Sequence, residues 1–129
     1  MKKLILFLVL IFTTYSIHAK WLLVAGSEEA KFYVEINSIK QTGNLVTYWE
    51  LLDYPSMQTF NNLNYYSVKQ KYETNCNTED SALLYSNFYS ENMGSGKSVY
   101  GLKQEHKNFE PNIPDSLGYT IFKFVCKKR

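Results

Sequence analysis

Apolar and polar residues alternate with a period of two along most of the chain beyond residue 20, the pattern of half-buried β-strands. Residues 21–24 make a first short run. Residues 31–36 set Phe32, Val34 and Ile36 against Tyr33 and Glu35. After the turn signal Gln41-Thr42-Gly43-Asn44, residues 45–53 are apolar on both faces. Val46, Tyr48 and Leu52 share one face; Leu45, Trp49 and Leu51 share the other. A strand covered on both sides is predicted to be central. Tyr54-Pro55 is expected to end it, because proline cannot extend a ladder. Residues 56–64 are polar and Asn-rich and read as a loop. Alternation resumes at 65–74, where Tyr66, Val68 and Tyr72 oppose Ser67, Lys69, Lys71 and Glu73. Further strands are predicted at 80–89 and, past a Gly-containing turn at 92–96, at 98–102. Short connections make the set an antiparallel meander.

The period changes near the C-terminus. Asp115 or Ser116, behind Pro114, can N-cap a helix. Leu117, Ile121, Phe124 and Val125 then fall on one face at helical spacing. Gly118 weakens that helix by about 1 kcal/mol. The expected fold class is therefore α+β: an antiparallel β-meander sheet with a C-terminal α-helix packed on one face.

The first 19 residues follow neither period. Lys2 and Lys3 precede an unbroken apolar run at 4–12, a weakly polar stretch follows, and His18-Ala19 closes on a small residue. These are the three regions of a secretory signal peptide. The apolar run is short of the roughly 18–20 residues of a membrane span. Ile17 is larger than the residue usual three places before the cut, so the export is better defined than the bond. The expected organisation is a signal peptide at 1–19 and one domain at 20–129.

Removing 19 of the 129 residues leaves 110, enough for a single core. It also changes the charge. The full chain has 14 basic and 12 acidic residues, and Lys2 and Lys3 leave with the signal, so the remaining domain is 12 against 12. Lys123, Lys127, Lys128 and Arg129 form a small basic tail. It reads as cations at a helix C-terminus, and nucleic acid is not an expected partner. Cys76 and Cys126 are the only cysteines. In an oxidising compartment an even pair is most simply one disulfide, with two free thiols the alternative. A loop of about 50 residues closed this way contributes roughly 4 kcal/mol. The bridge would pin the end of the helix to the end of the strand before Cys76. Neither cysteine directly follows the signal, so no lipid anchor is expected.

Candidate chemistry is thin. Met93-Gly94-Ser95-Gly96-Lys97-Ser98 resembles a phosphate-binding loop, but Glu91 stands where that motif needs glycine. A hairpin turn is expected instead. His106 is the one histidine past the signal, so a metal site lacks ligands and no nucleophile pair has context. Glu35, Glu50 and Asp53 could converge on neighbouring strands as an acid pair, though exposed sheet acids are common. No catalytic residue, no metal and no cofactor are expected. Eleven tyrosines and two tryptophans are the remaining signal. Cross-strand packing accounts for most of them. Tyr54, Phe60 and Tyr65 flank the segment read as a loop, and exposed aromatic residues there would form a partner-binding or dimer surface. Rings folded back onto the core are the alternative.

Several short motifs occur in a fixed order: Trp21, Phe32-Tyr33, Ser38-Ile39, Trp49, Asp53-Tyr54, Ser67, Cys76, Met93-Gly94-Ser95-Gly96, the segment 111–116 and Cys126. In this order the chain resembles the bacterial surface-adhesin protein E family. The resemblance implies a small sheet-and-helix domain without known catalysis. It also implies binding to host matrix or serum proteins, such as vitronectin and laminin, and association as a homodimer. The lipid-attachment cysteine of the namesake is not matched, nor is a compact basic cluster. The resulting expectation is an exported, non-enzymatic envelope protein, in the periplasm or at the cell surface, that acts by protein–protein binding. A periplasmic accessory or inhibitor protein without a host ligand is the alternative.

Overall fold

A computed structural model describes residue 16 and residues 18–127. Most of the expected signal peptide, together with Lys128 and Arg129 of the basic tail, lies outside the described residues. The elements run β1 (Trp21–Gly26), β2 (Lys31–Glu35), a 3-10 turn (Ile36–Ser38), β3 (Lys40–Thr42), β4 (Leu45–Phe60) and β5 (Leu63–Asn75). They continue with β6 (Asp80–Tyr89), a 3-10 turn (Asn92–Gly94), β7 (Ser98–Lys103), β8 (Glu110–Pro111) and α1 (Leu117–Lys127). All strand pairs are antiparallel, in the order β1-β2-β4-β5-β6-β7. The short strands β3 and β8 pair with β4 and β6 beside the longer neighbours β2 and β7. The α+β meander with one terminal helix is the fold expected from the alternation.

Strand β4 is central, with β2 and β3 on one edge and β5 along the other. Val34, Val46 and Tyr48 meet Ile121 and Val125 of α1 in the main core. Ser116 caps the helix: its Oγ accepts from the Tyr119 N–H at 3.1 Å, which supplies one of the partners a helix start lacks. The buried stripe is Ile121, Phe122 and Val125, whereas Phe124, expected on it, is half-buried at its margin. Cys76, just past β5, is bonded to Cys126 with 5.7 Å between Cα atoms. The bridge fastens the last turn of α1 to the sheet.

The sequence motifs recur as ties between elements. Ser38 Oγ donates to the Glu35 carbonyl and accepts the Trp49 N–H. That amide lies between the stretches of β4 paired with β2 and β3 and would otherwise lack a partner. Asn112 binds the β5–β6 turn through the Glu79 carbonyl and Ser81 Oγ, and Ser81 in turn hydrogen-bonds Thr74. The segment leading into the helix is thus pinned before the helix begins.

Candidate functional site: an aromatic hairpin arm

Two expectations for residues 54–64 are corrected. Pro55 does not end β4, and residues 56–64 are not a loop. β4 continues to Phe60 and returns as β5, pairing Gln58 with Tyr65, Thr59 with Asn64 and Phe60 with Leu63. The ladder is interrupted between Asp53 and Gln58. Pro55 lies inside that interruption, where its missing N–H costs no ladder bond. Asn61 and Asn62, at φ 48° and 61°, form the two-residue turn. Both angles are left-handed, as a type I′ hairpin turn requires, and asparagine tolerates them. β2 stops pairing with β4 at Asp53, and β6 stops pairing with β5 at Ser67. Beyond those points β4 and β5 form a two-stranded arm with no strand among the described residues paired along either outer edge.

Tyr54, Phe60 and Tyr65 are brought together at this arm. Tyr54 and Tyr65 meet edge to face at 5.9 Å, and Tyr65 meets Phe88 edge to face at 4.8 Å. Phe60 stacks on Phe88 at 5.3 Å and lies 5.6 Å from Tyr100. The three rings differ in exposure. Tyr54 and Tyr65 are half-buried against other rings, and loss of water around them raises both hydroxyl pKa values. Phe60 remains 40% exposed, with Met57 at 52% and Leu63 at 37% beside it. Phe88 and Tyr100, absent from the sequence-derived set, complete the cluster. They face each other across β6 and β7, a pairing that no spacing within one strand reveals.

A turn between β6 and β7 braces the base of the arm. Asp53 Oδ1 accepts from the Met93 N–H at 2.7 Å and from Asn92 Nδ2 at 3.1 Å. Asn92 Nδ2 also reaches the Tyr54 carbonyl at 2.7 Å. Ser67 Oγ donates to the Glu91 carbonyl at 2.6 Å and accepts the Gly94 N–H at 2.8 Å. Gly94 has φ 67°, and a Cβ there would stand 2.3 Å from Lys69 Cε. Asp53, Ser67 and the Met-Gly turn thus form one strap at the point where the β4 ladder breaks. The stretch that resembled a phosphate loop is this turn.

The acids do not converge. Glu35 accepts from the Lys20 and Asn37 N–H groups, and Asp53 serves the strap. Glu50, read as one of several exposed sheet acids, is buried between Tyr48 and Leu52 on the helix-covered face. Burial pushes its carboxyl pKa up to about 8. His106 is exposed after β7, and among the described residues no cluster of metal-ligand side chains includes it. On the face away from α1, Trp49 meets Tyr85 edge to face, Lys71 lies over Trp49, and Lys69 over Trp21 and Tyr89. Aromatic rings and lysine stems cover that face in place of a helix.

The class so defined is a one-sheet α+β domain with a terminal helix clasped by a disulfide and an aromatic hairpin arm braced on the sheet. The surface-adhesin protein E family matches residues 21–127, and the chain belongs to that family. Protein E of Haemophilus influenzae, in its second crystal form, is a structural neighbour at TM-score 0.64 and 18% identity. That match covers 86% of this chain and 90% of the other. Protein E from non-typeable Haemophilus influenzae aligns at TM-score 0.62 and 16% identity, covering 88% and 79%. At such identity the likeness is one of fold. No curated protein matches the chain in sequence. No helix among the described residues is long and apolar enough to cross a membrane.

Proposed function

We infer that this chain is an exported, non-enzymatic envelope protein that binds a protein partner through the β4–β5 arm. One observation carries the reading: the arm presents Met57, Phe60 and Leu63 to solvent on a two-stranded ribbon with unpaired edges. Exposed strand edges accept a partner strand, and apolar side chains beside them supply contact area. The Tyr54–Tyr65–Phe88 packing and the Asp53 strap stiffen the arm, so little ordering cost accompanies binding. Family membership favours a host matrix or serum protein as the partner. A second copy of the chain, or an envelope protein, would use the same edge.

The proposed cut after Ala19 suits the fold, because β1 begins at Trp21. The Lys20 nitrogen lies 3.0 Å from Glu35 Oε1, so cleavage would create an α-ammonium beside a carboxylate. The test is a pull-down with residues 20–129 against host matrix proteins and envelope extract in parallel, using Phe60→Ala and Met57→Ser as variants. Loss of capture at an unchanged melting temperature supports the arm. Capture equal to that of the parent protein overturns it. Protease shaving of whole cells then separates surface display from a periplasmic accessory role.

A further inference from the structure

We propose that the groove between the start of α1 and the sheet binds a primary alkylammonium group, with the Glu50 carboxylate as counter-ion. Glu50 is 5% exposed, and no hydrogen bond or ion pair to its carboxyl is formed by the described residues. It opens onto a cavity of about 190 Å³ walled by Phe32, Tyr48, Tyr72, Gln70 and Asn112. Among the described residues no sealed side-chain oxygen lacks a partner, so the Glu50 oxygens open onto the cavity, where an entering cation would pair with them. The ring surfaces favour the same charge: Tyr48 and Tyr72 stack at 5.9 Å, and aromatic faces attract cations. A second hollow of about 310 Å³ shares Tyr72 and Ser81 with the first and carries Glu110. The two adjoining hollows thus offer a positive ligand one acid each, Glu110 and Glu50. A single carboxyl at the end of a ring-lined pocket suits a compact charge on an apolar stem. Tyr54 at the base of the arm is the site's nearest link to that segment, and the proposal does not depend on the arm's role.

The ammonium could be a lysine side chain of a partner or a free amine. The proton balance is the same for both. Below about pH 8 the Glu50 carboxyl is protonated, and binding transfers one proton to the buffer. The groups facing it are Tyr48 and Tyr54 of β4 and Tyr72 of β5, all held neutral by burial. Among the described residues β2 contributes Phe32 and Val34, the register partner of Glu50, and α1 contributes Gly118, none of which titrates; His106 and Glu110 line the outer hollow.

Calorimetry on the exported chain with its disulfide intact tests this, using n-butylamine and acetyl-Gly-Lys-Gly-amide in buffers of different ionisation enthalpy. The expected result is saturable binding, about one proton released at pH 6.5, and affinity about thirtyfold tighter at pH 9. Glu50→Gln should weaken binding at pH 9 by about 10- to 100-fold. Gly118→Leu should also weaken it by filling the groove, since Gly118 lines the cavity and a Cβ there meets nothing nearer than Ser116 Oγ at 3.8 Å; an unchanged far-ultraviolet spectrum and melting temperature show that the variant is folded. Binding of both probes assigns a free amine as sufficient, and binding of the peptide alone assigns a partner lysine. No saturable binding of either probe, or equal binding by folded Glu50→Gln, overturns the proposal.

Discussion

Ser67 holds the strap through a single hydroxyl. Its side chain is fully buried, donates to the Glu91 carbonyl and accepts from the Gly94 N–H. Ser67→Ala leaves both backbone groups without that partner, so a loss of about 1–3 kcal/mol in denaturant unfolding is expected. An unchanged midpoint would mean water replaces the hydroxyl. Glu50 acts on stability in the other direction. Its carboxyl pKa is raised by burial from 4.5 to about 8, so the folded state holds a proton that the unfolded chain releases. That contribution is complete below pH 4.5 and is lost as pH rises through about 8. Between pH 5 and 9 the parent protein should therefore lose stability on the order of a few kcal/mol relative to Glu50→Gln. Thermal melts of the two proteins at matched pH values check the sign, and parallel curves would contradict it. The position of Glu50 was legible, since period two places it between Tyr48 and Leu52. Its burial was not, because cover by α1 depends on residues some seventy positions away.

At the scale of elements, proline and asparagine were the misleading signals. Pro55 reads as a strand end only if the ladder is continuous, and here the ladder breaks around it. Asn61-Asn62 lay inside a polar stretch, and a two-residue turn flanked by Phe60 and Leu63 looks like loop composition until the pairing is known. The turn gives a sharp expectation. Both residues are exposed and left-handed, so Asn62→Gly should be neutral or slightly stabilising. Asn62→Val should lose about 1–2 kcal/mol, because a β-branched residue resists positive φ. Equal unfolding midpoints for the two variants would show that the turn relaxes to another type. The helix and its cap were legible because both are local; of its stripe Ile121 and Val125 were legible, whereas the burial of Phe122 in place of Phe124 depends on how the helix seats on the sheet. Gly118 is the helix's weak point: Gly118→Ala introduces a Cβ whose nearest neighbour, Ser116 Oγ, lies at an ordinary 3.8 Å, and should add up to about 1 kcal/mol of stability.

For the whole molecule, the sheet-and-helix architecture and the crosslink were readable because alternation, capping and cysteine parity are properties of the sequence itself. The aromatic cluster was half readable. Tyr54, Phe60 and Tyr65 flank the turn in sequence, whereas Phe88 and Tyr100 join them only through strand pairing. The crosslink has a mechanical consequence. α1 lies against β1 and β4, and Cys126 ties its last turn to the point where β5 ends. Without that bond the helix is held on the sheet by Ile121, Phe122 and Val125, and its released end is the one farther from the arm and strap at Asp53. Cys76→Ser with Cys126→Ser removes a loop closure 50 residues in separation and should lower stability by about 4 kcal/mol. The damage should also be uneven. Amide exchange should rise first in α1 and beside Val34 and Val46, while the Tyr54–Tyr65–Phe88 packing keeps its near-ultraviolet dichroism until global unfolding. Protease digestion would then cut at Lys123 or Lys127 before any site in β4 or β5. Simultaneous loss of helix and arm signals at the same denaturant concentration would instead show one cooperative unit, with the bridge acting on the unfolded chain alone.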